Sequence, residues 1–443
     1  MIKRKFTKLV GLKKSEFDLF VNSGQIQVHP ARLIPTHKTG DEMALTSIFL
    51  SSVRIVKEFR DTLFKEIKFS RSGKTYFFTE VSIPEIDKNS RIDGMIITVV
   101  KDVIKGAVFL EMKNKNNGID KNQIEKYIEL AKKLRVDKLV TVSNEFVADS
   151  SLSPVAVRLP KSISMYHFSW TYLMTIGQLL LFDNEENITN EDQEEVMKEV
   201  LHYMENPVSG VSGYTSMKPG WKELAENVSA QKPLKNSDIY IEDAVLSWYE
   251  EEKDMALYLS RSLGVLVKST SKNKDSLKKD IAQLVKHNYI SGILSVKNSV
   301  SDIKVFSDFE RRSVSMSVKV IPPLDKGTKA RITWISKQLQ NCKKQSESIF
   351  NKIESDIWVE ADIKFGKSHI KIKLSELDTL ADLSIGKEIQ AFHIVLISSF
   401  GANFASVKKF VERIERMIIE YYAGIVQHMI NWNRNAPKLE SID

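Results

Sequence analysis

The sequence predicts an α+β protein with two domains, and three observations support that prediction. The chain has 443 residues, enough for two or three domains at about 100–200 residues each. Segments whose apolar residues recur at helical spacing alternate with short runs of β-branched and aromatic residues. Pro, Gly and Ser accumulate between residues 206 and 235, which is typical of a linker or long loop. We therefore expect domains at residues 1–205 and 236–443.

The first domain has a distinctive order of predicted elements over residues 40–145. An amphipathic helix comes first, and a meander of three strands follows, because aromatic and β-branched runs are bounded by polar turns. Asp120 is placed to cap a second helix. The predicted elements are a helix at 41–60, strands at 74–82, 91–100 and 107–113, a helix at 121–134 and a strand at 136–143. Beyond them we expect a strand and a helix within 163–182, and an acidic helix at 191–204.

The second domain is predicted to mix helices and strands, without a recognisable catalytic motif. Apolar residues of its last helix follow a four-three stripe that could join two copies in a homodimer, although packing on the domain's own sheet is the more common outcome. A basic turn with Lys326, Lys329 and Arg331 could contact phosphates, although such stretches are more often solvated. The predicted helices are 244–263, 275–286, 329–346 and 404–433, and the strands are 303–306, 313–321, 357–365, 370–374 and 388–398.

Composition places the chain among soluble globular proteins. Hydrophobic residues make up 42% and charged residues 28%, close to the average for that class. The single cysteine, Cys342, cannot form an intramolecular disulfide, which fits a reducing compartment. The basic start lacks the apolar segment of a signal peptide, and the longest apolar stretches, 172–182 and 391–400, are shorter than the roughly 20 residues of a membrane-spanning helix. We therefore expect a cytoplasmic protein that does not enter a membrane.

Positive charge is concentrated in the first third of the chain. The formal net charge is +8, and residues 1–140 hold 27 Lys and Arg against 17 Asp and Glu. An excess of this kind favours association with polyanions such as nucleic acids. It is equally compatible with a surface that only keeps the protein soluble.

Three ionisable residues on the predicted meander form the strongest functional signal. Asp93 lies in the sequence RIDG, and Glu111 and Lys113 lie in FLEMK at the end of the next strand. Because side chains alternate along a strand, Glu111 and Lys113 share one face. The hairpin between the two strands should bring Asp93 beside them.

The pairing of two carboxylates predicts a metal site. Two carboxylates placed together repel each other unless a cation lies between them, and Mg²⁺ is commonly held by one or two carboxylates and several waters. We therefore expect Mg²⁺ or Mn²⁺ on Asp93 and Glu111. Such an ion can polarise a phosphodiester, and the neighbouring Lys113 can position a water. Alone, a Glu and a Lys two residues apart on a strand often form only a surface ion pair.

The surrounding elements resemble the PD-(D/E)xK nuclease superfamily, whose restriction-endonuclease-like core runs helix, three-stranded meander, helix, strand. In that family an Asp opens the second strand and (D/E)xK ends the third, as Asp93, Glu111 and Lys113 do here. Ile92 stands where the family's name motif has proline. The resemblance covers about residues 40–145.

The resemblance implies a role for each matching residue. Asp93 and Glu111 would bind the metal, and Lys113 would act on the nucleophilic water. Gln123 and Tyr127 are similar to the QxxxY motif of the recombination exonuclease branch, and four-residue spacing puts them on one helix face. They would help to hold the site or the phosphate.

Two further acids occupy places where family members often carry an additional glutamate. Glu42 begins the first predicted helix of the core and matches a glutamate associated with the metal. An acid in the first helical turn also stabilises the helix dipole, which is the commoner reason for finding one there. Glu80 on the first strand is in a similar position.

The implied substrate is DNA, and polar residues near the motif could contact its phosphates. Each lysine taken singly is as well explained by solvation, so only the group argues for DNA. The basic residues are Arg91, Lys115, Lys121 and Lys126, and the neutral donors are Asn114, Asn116 and Asn117.

Three functional hypotheses follow. The leading one is a Mg²⁺-dependent nuclease that hydrolyses DNA, endo or exo, in the bacterial defence, restriction or repair setting that the family implies. A second is a catalytically silent protein that binds nucleic acid. A third is an effector that a partner or ligand triggers through the second domain. The sequence has no P-loop, so a translocating ATPase or regulatory subunit would be a separate protein.

Overall fold

The chain folds into two compact units, one ending at Tyr214 and the other beginning at Thr215. The computed structural model describes residues 6–433 except 36, 85, 116, 148, 182–186, 271–273 and 367–368. The division falls inside the segment 206–235. That segment is not a loop throughout, because Pro219–Ser229 is a helix whose Trp221 is fully buried. Among the described residues, no helix combines the length and the apolar character needed to cross a bilayer.

The first unit is a six-stranded sheet with helices on both faces. Its strands are ordered β1-β2-β3-β4-β5-β6, antiparallel up to β4 and parallel from β4 to β6. The helices are α1 Lys14–Asn22, α2 Glu42–Ile55, α3 Lys57–Glu66, α4 Lys121–Leu134, α5 Trp170–Leu179 and α6 Glu191–Glu205, and the strands are β1 Gln27–Pro30, β2 Lys74–Ile83, β3 Asp87–Val100, β4 Val103–Met112, β5 Lys138–Ser143 and β6 Ser164–Ser169.

Alternating residues of the central strands feed two separate cores. Leu110 of β4 packs in the core beneath α2, α3, α5 and α6, and Phe109 packs in the core beneath α1 and α4. Both faces of the sheet are therefore covered, and β4 is accordingly apolar on both faces.

The predicted order of helix, meander, helix and strand is present, with one correction. The single helix expected at 41–60 is two helices, because Val56 is extended (φ −86°, ψ 106°) and separates α2 from α3. β-branched residues at this point disfavour the helix, and the Val56 side chain is fully buried. The Gln193 side chain accepts a 2.8 Å hydrogen bond from the Lys57 amide. This bond caps the start of α3.

The hairpin between β3 and β4 is tighter than the sequence predicts. Lys101 and Asp102 both have positive φ (49° and 60°) and form a two-residue connection of the kind that suits twisted strands. β4 therefore starts at Val103, several residues before the expected position.

The second unit is a seven-stranded antiparallel sheet with helices against it. The strand order is β12-β11-β13-β10-β9-β8-β7. The last helix packs within its own unit, where the Tyr421 hydroxyl donates to the Ile394 carbonyl. The helices are α7 Pro219–Ser229, α8 Ile239–Leu263, α9 Lys274–His287, α10 Thr328–Gln345, α11 Glu347–Ile353, α12 Leu380–Leu383 and α13 Val407–Gly424, and the strands are β7 Lys268–Ser269, β8 Tyr289–Ser295, β9 Ile303–Asp308, β10 Ser313–Val320, β11 Ile357–Ile363, β12 Ile370–Lys373 and β13 Ile389–Ser399.

Candidate active site

Strand pairing in the first unit places the two predicted carboxylates together. The ladder pairs Met95 with Phe109 and Gly94 with Leu110, so one further step sets Asp93 opposite Glu111. Opposite residues of an antiparallel pair project from the same face. The Asp93 Oδ2 atom also accepts a 2.9 Å hydrogen bond from the Met112 amide, which ties it to β4 directly after Glu111.

Glu111 is completely buried, whereas the sequence suggested a half-exposed strand face. Its exposed fraction is 0%, and the Lys113 ammonium lies 2.7 Å from its Oε1 atom. Burial, together with the charge of Asp93, raises the pKa of Glu111 to about 8 against the opposing effect of Lys113. Burying a carboxylate is costly even beside an opposite charge, and a strongly shifted pKa beside a charged partner is typical of functional sites.

Lys113 bridges two glutamates. Its Nζ atom lies 2.7 Å from Glu111 Oε1 and 2.9 Å from Glu42 Oε1. Burial acts to lower the pKa of Lys113, but the surrounding carboxylates raise it above its ordinary value, so the amine stays protonated. Its backbone is held on both sides, since its amide donates to Val142 and its carbonyl accepts from the Trp170 indole, each at 2.8 Å.

Glu42 therefore belongs to the cluster rather than acting only on the dipole of its helix. It begins α2, and its side chain reaches the lysine that also contacts Glu111. Partial burial raises the pKa of Glu42, and Lys113 opposes that rise. The expected residues of the metal site, Asp93, Glu111 and Glu42, all act electrostatically on this one amine.

Gln123 and Tyr127 hold α4 against the strand that carries Asp93. The Gln123 amide donates to the Tyr127 hydroxyl (3.1 Å), which donates in turn to the backbone carbonyl of Arg91 (2.6 Å). Burial and the nearby Glu111 and Asp93 raise the pKa of Tyr127, which keeps the hydroxyl protonated as a donor. The pair consequently positions β3 two residues before Asp93.

The donor set fits a divalent cation that keeps most of its water. Within the described ranges, no group of three or more His, Cys, Asp or Glu side chains is arranged to hold a metal ion. Mg²⁺ commonly uses only one or two carboxylates, which Asp93 and Glu111 supply. Such an ion would give the buried Glu111 carboxylate a second cationic partner besides Lys113.

The predicted basic rim is partly neutralised. The Arg91 guanidinium lies 3.1 Å from Glu80, and Lys121 lies 3.9 Å from Glu125. Lys115 and Lys126 are exposed. Fewer free cations therefore surround this end of the sheet than the sequence suggests.

Asn114 is a structural residue and does not face solvent as a phosphate donor would. It is 2% exposed, and its amide donates to the carbonyls of Gly40 and Ser209. It thereby fixes the segment that leads into α2. Asn117 is exposed, and Asn116 lies outside the described residues.

Two residues near the cluster had no signal in the sequence. His37 precedes α2 in an irregular segment and lies 3.5 Å from Glu80. Trp170 holds the Lys113 carbonyl from the start of α5. Both contacts join residues far apart in sequence, so no local spacing could have indicated them.

The second unit contains a buried acidic group of a different kind. Glu251 of α8 is 0% exposed, and its carboxylate oxygens have no hydrogen bond among the described residues. Burial and the negative charges of Asp254 and Glu415 raise its pKa well above the ordinary value.

Arg331, from the basic turn, is also internal. It is 3% exposed and donates to the backbone carbonyls of Leu324 and Lys326. It braces this turn and is not available to a phosphate.

Comparison of the chain with known protein families, curated proteins and solved structures finds no match. Residue geometry is therefore the basis for an assignment of function, and the geometry that carries most weight is the cluster around Glu111.

Proposed function

We propose that this protein is a Mg²⁺- or Mn²⁺-dependent nuclease that hydrolyses DNA phosphodiesters. The observation that carries the proposal is Glu111, a fully buried carboxylate placed opposite Asp93 and 2.7 Å from the Lys113 ammonium. A buried acid beside a specific charged partner and opposite a second acid is typical of functional sites. The resemblance to PD-(D/E)xK nucleases supports the same assignment.

Each residue of the cluster has a distinct part in the proposed chemistry. A bound divalent ion supplies Lewis-acid chemistry at the phosphodiester. Asp93 and Glu111 would hold it, since their side chains share one face and one end of the hairpin. Lys113, kept protonated by its neighbours, would orient the attacking water and offset negative charge on the phosphate. Glu42 fixes the lysine through its 2.9 Å contact.

The test is DNA cleavage by purified protein in Mg²⁺, Mn²⁺ or EDTA. Supercoiled plasmid and linear duplex would be used together, because a closed circle resists exonucleases and reveals endonuclease activity. Asp93→Ala and Lys113→Ala should abolish metal-dependent cutting. Lys222→Ala is the matched control, since this exposed lysine of α7 forms an ion pair with Glu226 of the same helix.

Two results would overturn the proposal. Cutting that persists in both site variants would exclude this cluster as the catalytic centre. If the wild-type protein and both variants bind DNA and none cuts DNA or RNA, the catalytically silent alternative would replace the nuclease. Addition of candidate partners or a separate ATPase would then test the effector hypothesis, and a cytoplasmic role in defence, restriction or repair stays a prediction.

A further inference from the structure

Six exposed cations lie at the end of the first sheet that is opposite to the candidate active site. We call this group the hairpin tip. They belong to segments that meet where β2 starts, β3 ends and β4 starts. The six are Lys13, Lys68, Arg71, Lys74, Lys101 and Lys105.

Strand pairing brings three of these cations together. Lys101 occupies the two-residue turn between β3 and β4. Lys105 lies at a bulge, because the ladder shifts between Thr98 and Val99. Lys74 begins β2 and pairs with Val99. The three lysines therefore lie within a few residues of one turn in adjacent strands.

Local packing brings the other three cations to the same end of the sheet. Lys13 forms a bridge with Val103, the first residue of β4. Lys68 and Arg71 lie in the segment that leads into β2. That segment is held against the end of β3, where a side chain at Gly73 would come within 2.5 Å of the Val99 carbonyl oxygen.

The hairpin tip is less neutralised than the rim of the candidate active site. Within the described part of the chain, none of its six cations forms an ion pair, whereas Arg91 and Lys121 of the rim both do. The acid in the turn, Asp102, accepts a hydrogen bond from the Ser15 hydroxyl. With Asp102 counted, the tip therefore holds six exposed cations and one acid.

We propose that the hairpin tip binds the phosphate backbone of duplex DNA as a second contact, separate from the cluster around Glu111. Exposed lysines and arginines together with hydroxyl groups are the usual partners of backbone phosphates, and Ser70 and Ser72 supply hydroxyls between the cations. An anionic membrane is a poorer fit, because surface binding to lipid also needs apolar side chains to insert. Residues 68–74 and 101–105, all described, include no exposed large apolar side chain.

The position of the tip predicts a dependence on DNA length. Six residues of β3 separate Asp93 from Val99, which is about 20 Å at roughly 3.3 Å per residue. A duplex that touches both ends of the sheet would span at least about six base pairs at 3.4 Å each. The expectation that one DNA molecule contacts both the tip and the candidate active site rests on the proposed nuclease function. Binding of DNA at the tip does not depend on that function.

The experiment measures binding in EDTA, so that no cutting is required. Anisotropy of a fluorescent 30-base-pair duplex would be followed across salt concentrations for the wild-type chain and for the triple variant Arg71→Gln, Lys101→Asn, Lys105→Gln. Asparagine is chosen because Lys101 has φ 49°, which asparagine tolerates. The matched control removes the same charge from exposed lysines of the second unit, as Lys278→Gln, Lys408→Gln, Lys409→Gln.

The tip variant should bind at least about tenfold more weakly, with a salt slope lower by about 3, since each lost phosphate contact removes about 0.9. The control should bind as the wild type does. Equal affinity and slope in all three proteins would overturn the proposal. The proposal would also be overturned if the tip variant no longer bound vesicles of 30% phosphatidylserine but still bound DNA as the wild type does.

Cleavage by the same proteins separates this proposal from the previous one. If the tip variant loses DNA binding while the wild-type protein cuts nothing, the tip contact stands and the nuclease assignment fails. The opposite result is that the wild-type protein cuts DNA and the tip variant binds and cuts duplexes of 8 and 30 base pairs equally well. The nuclease assignment would then stand, and the tip contact would fail.

Discussion

Two buried glutamates, one in each unit, show how the same physical cost leads to different outcomes. Glu111 and Glu251 are both 0% exposed, and the carboxylate oxygens of Glu251 have no hydrogen bond among the described residues. Burial raises the pKa of both. Their neighbours differ, because an ammonium lies 2.7 Å from Glu111, whereas the charges that act on Glu251 are those of Asp254 and Glu415.

The difference shows that burial of an acid is not by itself evidence of an active site. An ammonium beside a buried carboxylate favours the charged form, which is the form that binds a cation, and so opposes the effect of burial. A carboxylate among other acids keeps its proton and behaves as a neutral core residue. The lysine distinguishes the two sites, and the following predictions test that distinction.

The largest effect is expected from Lys113→Met, which gives Glu111 surroundings like those of Glu251. Loss of the ammonium should lower the rate of DNA cleavage about 10²–10⁴-fold, the usual contribution of a positioned proton-transfer or charge-stabilising group. Single-turnover cleavage at saturating protein measures it. A Glu251→Gln protein should cut at the wild-type rate, and a Lys113→Met protein within tenfold of wild type would refute the role of the lysine.

Glu251→Gln should instead change stability. Because its pKa is raised, Glu251 holds its proton more tightly in the folded protein, so its contribution to stability is present at low pH and is lost as the pH rises. The free energy of unfolding of the variant should therefore increase relative to that of the wild type as the pH rises. The increase should reach up to about several kcal/mol, the order of the cost of a buried charge. Thermal unfolding at pH 6 and pH 9.5 measures the difference. If the difference in stability between variant and wild type were the same at pH 6 and pH 9.5, Glu251 would not be a buried acid with a raised pKa.

The buried base His167 provides a third case, in which stability is lost as the pH falls and not as it rises. His167 is 1% exposed, and its ring nitrogens contact Thr141 and the Glu145 carbonyl, each at 2.8 Å. Burial lowers its pKa to about 4, so the unfolded chain binds the proton first and stability falls between pH 6.5 and 4. The loss should be about 3 kcal/mol.

Urea unfolding at pH 7, 5.5 and 4.5 checks this value. His167→Gln should be less stable at pH 7 but should lose less stability on acidification than the wild type. Parallel curves for the two proteins would show that another group is responsible.

The smallest effect is expected from Tyr127→Phe. The change leaves the part-buried Arg91 carbonyl without its 2.6 Å donor and should cost about 1 kcal/mol of stability. Metal-dependent cutting should decrease but persist, since Tyr127 positions β3 and does not hold the ion. Gln123→Ala, which removes only the outer hydrogen bond, should cost less. Complete loss of cutting in a folded Tyr127→Phe protein would assign the hydroxyl to the reaction itself.

Local signals were sufficient for the elements that depend on neighbouring residues. The helix expected at 121–134 is confirmed as α4, Lys121–Leu134, with the Asp120 side chain accepting from the Gln123 amide as its cap. β8, Tyr289–Ser295, was missed because Gly292 weakens its strand pattern. The reason for that glycine is tertiary, since a side chain there would come within 2.7 Å of the Glu252 carboxyl group.

The sequence by itself determined the order of elements around the site and the set of acids and the lysine that form the cluster, because spacing and alternation are local properties. Only the tertiary structure decided that Glu111 is buried, that Glu42 reaches Lys113, and that Asn114 and Arg331 are internal. It also decided which cations are paired and which gather at the hairpin tip. Burial and charge pairing depend on residues tens of positions apart, and these meet only when the chain has folded.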